Sequence, residues 1–176
     1  MPVEIDGATR RSFVFPAALD TAFAYYSDLD TIFTCLPHIS VVEKYSEGGF
    51  RLLYSTLELG VYNIRIVCDL EADLDAHTHL LRIYPLKGTD QIESIFGLRS
   101  IQTQGYYSSE SKFIPSGDFT RIDYSLRIQA SLPTPLAALS MPPALRNSIA
   151  SSITTWRIGE IAEGFVQRSI SKYHQA

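Results

Sequence analysis

Between Tyr62 and Leu74 the chain alternates strictly. Tyr62, Ile64, Ile66, Cys68, Leu70, Ala72 and Leu74 share one side, and Asn63, Arg65, Val67, Asp69, Glu71 and Asp73 share the other. Successive strand side chains point to opposite faces, so this pattern predicts a strand with one dry face and one wet face. A second such strand is predicted near residue 125. There Thr120, Ile122, Tyr124, Leu126, Ile128 and Ala130 alternate with Arg121, Asp123, Ser125, Arg127 and Gln129.

Shorter runs rich in aromatic and β-branched residues complete the set: TRRSFVFP (Thr9 to Pro16), SVVEKYS, FRLLYSTLEL, THLLRIYP and YYSSESKFIP. Turns are expected at Glu47-Gly48-Gly49, near Ala76-His77 and at Pro115-Ser116-Gly117. If residues 75 and 78 close the second of these, Glu71 lies opposite Arg82, Leu70 opposite Ile83 and Ala72 opposite Leu81. That register puts unlike charges together on the wet face. The inward face of Phe50 to Leu59 stays open. A two-residue turn at Leu59-Gly60 points Leu53, Ser55 and Leu57 inward, whereas a three-residue loop points Leu52, Tyr54 and Thr56 inward.

Helical spacing appears twice. Leu19, Phe23, Tyr26, Leu29, Phe33 and Leu36 recur at threes and fours. Ser27 and Asp28 divide the stretch into two short helices, one of them capping the second, and Pro37 ends it. After Pro143, which suits a first helical turn, a long helix is predicted from Ala144 to about Arg168, with a stripe of Leu145, Ile149, Ile153, Trp156, Ile158, Ile161 and Phe165. Beside it runs a line of small residues, Ser148, Ser152, Thr155, Gly159 and Ala162. These could leave room for a guest, let helix and sheet approach, or face solvent. LKGTDQIESIFGLRSIQTQG (Leu86 to Gly105) reads as an irregular excursion with a helical turn near Ile92 to Phe96.

The predicted architecture is α+β: a curved antiparallel sheet of about six or seven strands, two short helices after the first strand, and one long C-terminal helix to cover the dry face. The 176 residues are expected to form a single domain. Composition narrows the partners. A net charge of −4 argues against nucleic acid, whose phosphates need a basic face. No apolar run is long enough to span a membrane, so no integral membrane association is expected. The start, MPVEIDGATRR, has no apolar core of a signal peptide. The two cysteines, Cys35 and Cys68, read as separate buried thiols, and a cytoplasmic location is the expectation.

Motifs with chemistry are few. His77-Thr78-His79 has a two-residue spacing that can place two imidazoles on one strand face beside Asp73 and Asp75, but a turn at His77 breaks that face, and no metal site is predicted. Asp69, Glu71, Asp73 and Asp75 belong to the wet face and read as a solvated row. His38, after Pro37, is a candidate acid–base at a cavity mouth. No catalytic set is assigned, and no phosphate-binding or dinucleotide fingerprint is present, so no cofactor is implied.

The stretch SFVFPAALDTAFAYYSDLDTIFTCLPHISVVEKYSE, followed by strands and the helix after Pro143, resembles the helix-grip fold of the START-like (SRPBCC) superfamily, which includes Bet v 1-type allergens and polyketide cyclases. Within it the chain looks most similar to a group known from cyanobacteria and plants. The resemblance implies an apolar cavity between sheet and long helix that binds a hydrophobic small molecule or lipid. Such a cavity is expected to be lined by Tyr62, Ile64 and Ile66, by Ile122, Tyr124 and Leu126, and by Ser152, Thr155 and Trp156 on the helix. Two other readings compete. A cyclase-like enzyme would need a polar cluster deep in the pocket, such as Tyr124 with Ser152 or Thr155. A protein-interaction factor would have a filled core and an exposed apolar patch, best placed at Pro133 to Pro143, where Leu136, Leu139 and Met141 have little polar cover.

Overall fold

A computed structural model describes residues 2–134 and 138–176. The chain runs β1 (Val3–Phe15), α1 (Leu19–Ser27), α2 (Leu29–Phe33), β2 (Ile39–Lys44), β3 (Phe50–Glu58), β4 (Tyr62–Asp75), β5 (Leu80–Pro85), β6 (Ile95–Phe96), β7 (Ser100–Ser116), β8 (Phe119–Leu132) and α3 (Pro143–Gln175). The strands form one sheet in the order β1-β8-β7-β5-β4-β3-β2, with β6 paired to β7. The long helix lies on the dry face, most heavily on β1. This is the expected helix-grip α+β architecture, with eight strands instead of six or seven.

The helical pattern resolves as predicted in its first part. Asp28 separates α1 from α2, and its carboxylate accepts hydrogen bonds from the Thr31 backbone N–H (3.3 Å) and hydroxyl (2.7 Å). A side-chain cap satisfies an otherwise orphaned helix N–H, which is why the split falls there. The long helix extends past Arg168 to Gln175.

Several strand expectations are corrected. The first strand begins at Val3, not Thr9, and pairs with β8 along its whole length. Asp6 and Gly7 lie mid-strand. A Cβ on Gly7 would sit 2.7 Å from Thr154 Cγ2, so the glycine lets α3 cross β1 closely. In the β4–β5 hairpin the closing pair is Asp75 and Leu80, so Asp73 faces Arg82 and Ala72 faces Ile83. The shift from the expected register is two residues on one strand, which preserves both faces.

The strand Phe50–Glu58 is followed by a three-residue loop, since Glu58 pairs with Tyr62. Leu52 and Thr56 are accordingly buried and Leu57 is exposed. The excursion before Gly105 contains no helical turn. Ile95 and Phe96 pair with β7, and Gly97 N–H donates to Ser100 O at 2.8 Å to close the bend.

The short β5 has a geometric consequence. It fills only part of the gap between β4 and β7, and where it is absent the two strands pair directly and in parallel, from Asn63 with Ser100 to Val67 with Gln104. Gly105 lies beside this closure. A Cβ there would stand 2.3 Å from Ile66 Cγ2 and 3.0 Å from Gln129 O. Past Pro85 the β4–β5 ladder continues with Leu86 N–H donating to Asp69 O (2.8 Å), and the Thr89 side chain of the excursion reaches the Asp69 carboxylate. Asp69 is therefore buried, against the expected solvated row. Its carboxylate takes a bidentate contact from Arg51 (2.7 and 2.9 Å) and the Tyr45 hydroxyl (2.8 Å). Burial alone would raise its pKa, but Arg51 and Tyr45 more than offset that and hold it below the usual carboxylate range.

Candidate functional site

One end of the fold is hollow. The first residues of β1, the end of β3, the β3–β4 loop, the starts of β4 and β7, the end of β8 and the first turns of α3 surround a cavity of about 360 Å³. That lies at the lower end of the range for small-molecule sites. The sheet side is walled by Val3, Ile5, Tyr62, Ile64, Ile101 and Leu132. The helix side is walled by Ile149, Ala150 and Ile153, which recur at one and three residues and so share a face of α3. Leu59, Val61 and Met141 also line it and are exposed, so the cavity reaches the surface there. A larger groove of about 780 Å³ lies elsewhere on the sheet, along Arg10, Arg82, Glu110 and Arg127. It is a polar surface, with Arg82 and Glu110 paired at 3.1 Å.

Four side chains with polar groups line the cavity: Glu58, Tyr62, Thr154 and Arg146. Glu58 is buried, and its Oε1 accepts from Thr56 Oγ1 (2.8 Å) and Arg157 Nε (2.7 Å). Arg157 in turn donates to Glu160 Oε2 (2.7 Å), which also lies 3.2 Å from His38 Nε2. Desolvation opposes ionisation of Glu160, but the Arg157 hydrogen bond and the nearby His38 keep its pKa below the ordinary value. Thr154 Oγ1 donates to Ala150 O within the helix (2.7 Å). Arg146 is different: its Nε is buried and meets no acceptor among the described residues.

The expected site residues divide. Tyr62 and Ile64 line the cavity. Ile66 lies deeper, beside two minor voids of about 40 and 10 Å³. Ile122, Tyr124 and Leu126 are buried in solid core away from the cavity. Tyr124 stacks at 4.8 Å on Phe165, and its hydroxyl lies 3.4 Å from that of Tyr107. Burial pushes the Tyr124 phenol well above its usual pKa.

Ser152, Thr155 and Trp156 do not face the sheet. All three are exposed, Trp156 at 60%, and the Arg157 guanidinium stacks 4.3 Å from the indole. The polar cluster of Tyr124 with Ser152 or Thr155 is therefore not formed. Of the small-residue line, Ser148, Ser152 and Thr155 face solvent and only Ala162 is buried. The helix approaches its neighbours at Gly164 instead, where a Cβ would meet Pro37 Cγ at 2.4 Å. His38 is absent from the cavity wall and turns toward Glu160. His77 and His79 lie in the β4–β5 turn, with His79 Nε2 at 3.5 Å from Asp20 of α1.

In the Pro133–Pro143 segment, Pro133, Ala138 and Met141 line the cavity, Leu139 is exposed, and Leu136 lies outside the described residues. The sequence pattern did not single out Val3, Ile5, Ile101 or Arg146 for this site. For the first two, the signal was present in the alternation Val3, Ile5, Gly7.

The protein has the START-like fold. It is similar to the protein TTHA0849 from Thermus thermophilus, at a TM-score of 0.53 and 16% identity, over 94% of this chain and 98% of that one. It is similar to a START superfamily protein from Mycobacterium smegmatis, at 0.52 and 13%, over 96% and 97%. It also matches the di-domain ARO/CYC StfQ of the steffimycin biosynthetic pathway, at 0.50 and 10%, over 95% of this chain and 50% of that one. No family model and no curated protein matches the sequence. Among the described residues, no helix is long and apolar enough to cross a membrane.

Proposed function

We propose that the protein binds a hydrophobic small molecule or lipid in the cavity between the sheet and the first turns of α3. The observation that carries this reading is the cavity itself: about 360 Å³ walled almost wholly by aliphatic side chains. Well-packed interiors leave few voids larger than a water molecule, so a space of this size at one end of an otherwise dense core is unusual for a purely structural element. Binding there draws on apolar burial, at roughly 25 cal/mol per Å² removed from water. Cys35 and Cys68 are both buried free thiols, which suits the reducing cytoplasm.

The test is native mass spectrometry of the purified protein followed by organic extraction, with Ala150→Phe as the comparison. Ala150 lines the cavity, so a phenyl ring there occupies the space. A reproducible adduct on the wild type that is missing from a folded Ala150→Phe protein is the expected result. An adduct that persists in the variant would move the ligand elsewhere and contradict the reading.

A further inference from the structure

Four side chains of the cavity wall carry polar groups: Glu58, Tyr62, Thr154 and Arg146. Glu58 is hydrogen-bonded by Arg157, and the Thr154 hydroxyl is held by Ala150 O. Arg146 has neither arrangement: among the described residues it forms no ion pair and its buried Nε meets no acceptor. A buried donor left without a partner is destabilising, and more so when the group is charged. The guanidinium fork matches the oxygens of a carboxylate or phosphate, which it can engage through two parallel hydrogen bonds.

A second observation points the same way. Arg146 lies at the beginning of the 33-residue α3, whose N-terminus has Pro143 in its first turn, no side-chain cap and no acidic residue in that turn. Among the described residues, no side-chain cap and no first-turn acid offsets the positive end of this helix dipole, and such an end favours an anion.

Resting on the binding function proposed above, we infer that the ligand is an acidic amphiphile: its apolar body fills the cavity and its carboxylate or phosphate head pairs with Arg146 at the start of α3. Glu58, the carboxylate in the same wall, is already engaged by Arg157, which it shares with Glu160.

The inference is tested by displacement of Nile red with decanoic acid, monodecyl phosphate and 1-decanol, each below its critical micelle concentration. The proteins are wild type, Arg146→Met and Arg146→Lys, with circular dichroism confirming that each is folded. On wild type at least one of the two anions should bind roughly tenfold or more tightly than decanol. The ratio should fall toward one in Arg146→Met and recover in part in Arg146→Lys, which keeps the charge and loses the fork. A preference for decanoic acid assigns a fatty-acid-type head, and a preference for the phosphate assigns a phosphomonoester. If decanol displaces the dye as well as both anions do, the head-group inference fails while the cavity reading stands. If none of the three displaces it, both fail.

Discussion

The two ends of the sheet enclose different interiors. At one end, Phe15, Tyr25, Tyr26, Phe113, Phe165 and Tyr173 interlock, mostly edge to face, with ring centroids 4.8–6.0 Å apart. Their polar tips are satisfied: the Tyr25 hydroxyl donates to Ser169 O (3.0 Å), and the Tyr26 hydroxyl shares a hydrogen bond with Ser169 Oγ (2.9 Å). At the other end, the same sheet and the same helix present Val, Ile, Leu and Ala, and the space between them is not filled. The difference lies in side-chain size and in what closes each end. The helices α1 and α2 plug the first. The loop Leu59–Val61 and the segment around Pro133 and Met141 border the second. A single α3 thus serves as a core helix over its last turns and as a cavity wall over its first.

This contrast sets the scale of mutational effects. Phe165→Ala should destabilise the protein by about 3–5 kcal/mol, because a dense aromatic cluster cannot collapse into the gap. Ile153→Ala, beside space that is already empty, should cost about 1–2 kcal/mol. Urea unfolding of the two variants measures the difference, and equal costs would break the comparison.

Gly105→Val probes the junction where β4 and β7 close together. A side chain there must displace Ile66 and crowd the Gln129 carbonyl, so a loss of about 2–3 kcal/mol is expected by the same method. Ala150→Phe should do the opposite of these: its stability should stay within about 1 kcal/mol of wild type, since the ring enters existing space. A large loss there would mean that the cavity is narrower than described.

The alkaline limb of stability should report the aromatic end. Burial raises the Tyr25 phenol to about 12, and raises Tyr26 and Tyr124 further. A raised folded-state pKa gives stability that is fully present below the unfolded value near 10 and is lost as pH rises through the folded value. The melting temperature should therefore fall progressively above about pH 10, and less steeply in Tyr26→Phe. A pH-independent melting temperature up to pH 12 would contradict the burial of these phenols.

Much of this was legible in the sequence, and the failures have physical causes. Period-two alternation marked β4 and β8, and the Asp28 cap marked the break between α1 and α2. The three-residue loop at Leu59-Gly60-Val61 was one of two options, because turn length depends on how Leu59 (φ 51°) and Gly60 (φ 69°) both take left-handed backbone. The site was harder. Tyr62 and Ile64 follow from strand alternation, but Ser152, Thr155 and Trp156 required knowing how α3 is rotated about its axis. That rotation brings Thr154 against Gly7 of β1, a contact between residues far apart in the sequence. Trp156 counted as core on hydrophobicity, yet it lies on the surface against Arg157. Arg146 carried no periodic signal; its place in the cavity wall and a buried Nε that meets no acceptor among the described residues bring it forward.

The most direct test of the hollow end is a methyl NMR titration of isoleucine-labelled protein with 1-decanol. Shifts should concentrate on Ile5, Ile64, Ile101, Ile149 and Ile153, which line the cavity, and leave Ile32 and Ile122 of the solid core unmoved. Shifts centred on Ile32 and Ile122, or none at all, would contradict a binding cavity at the start of α3.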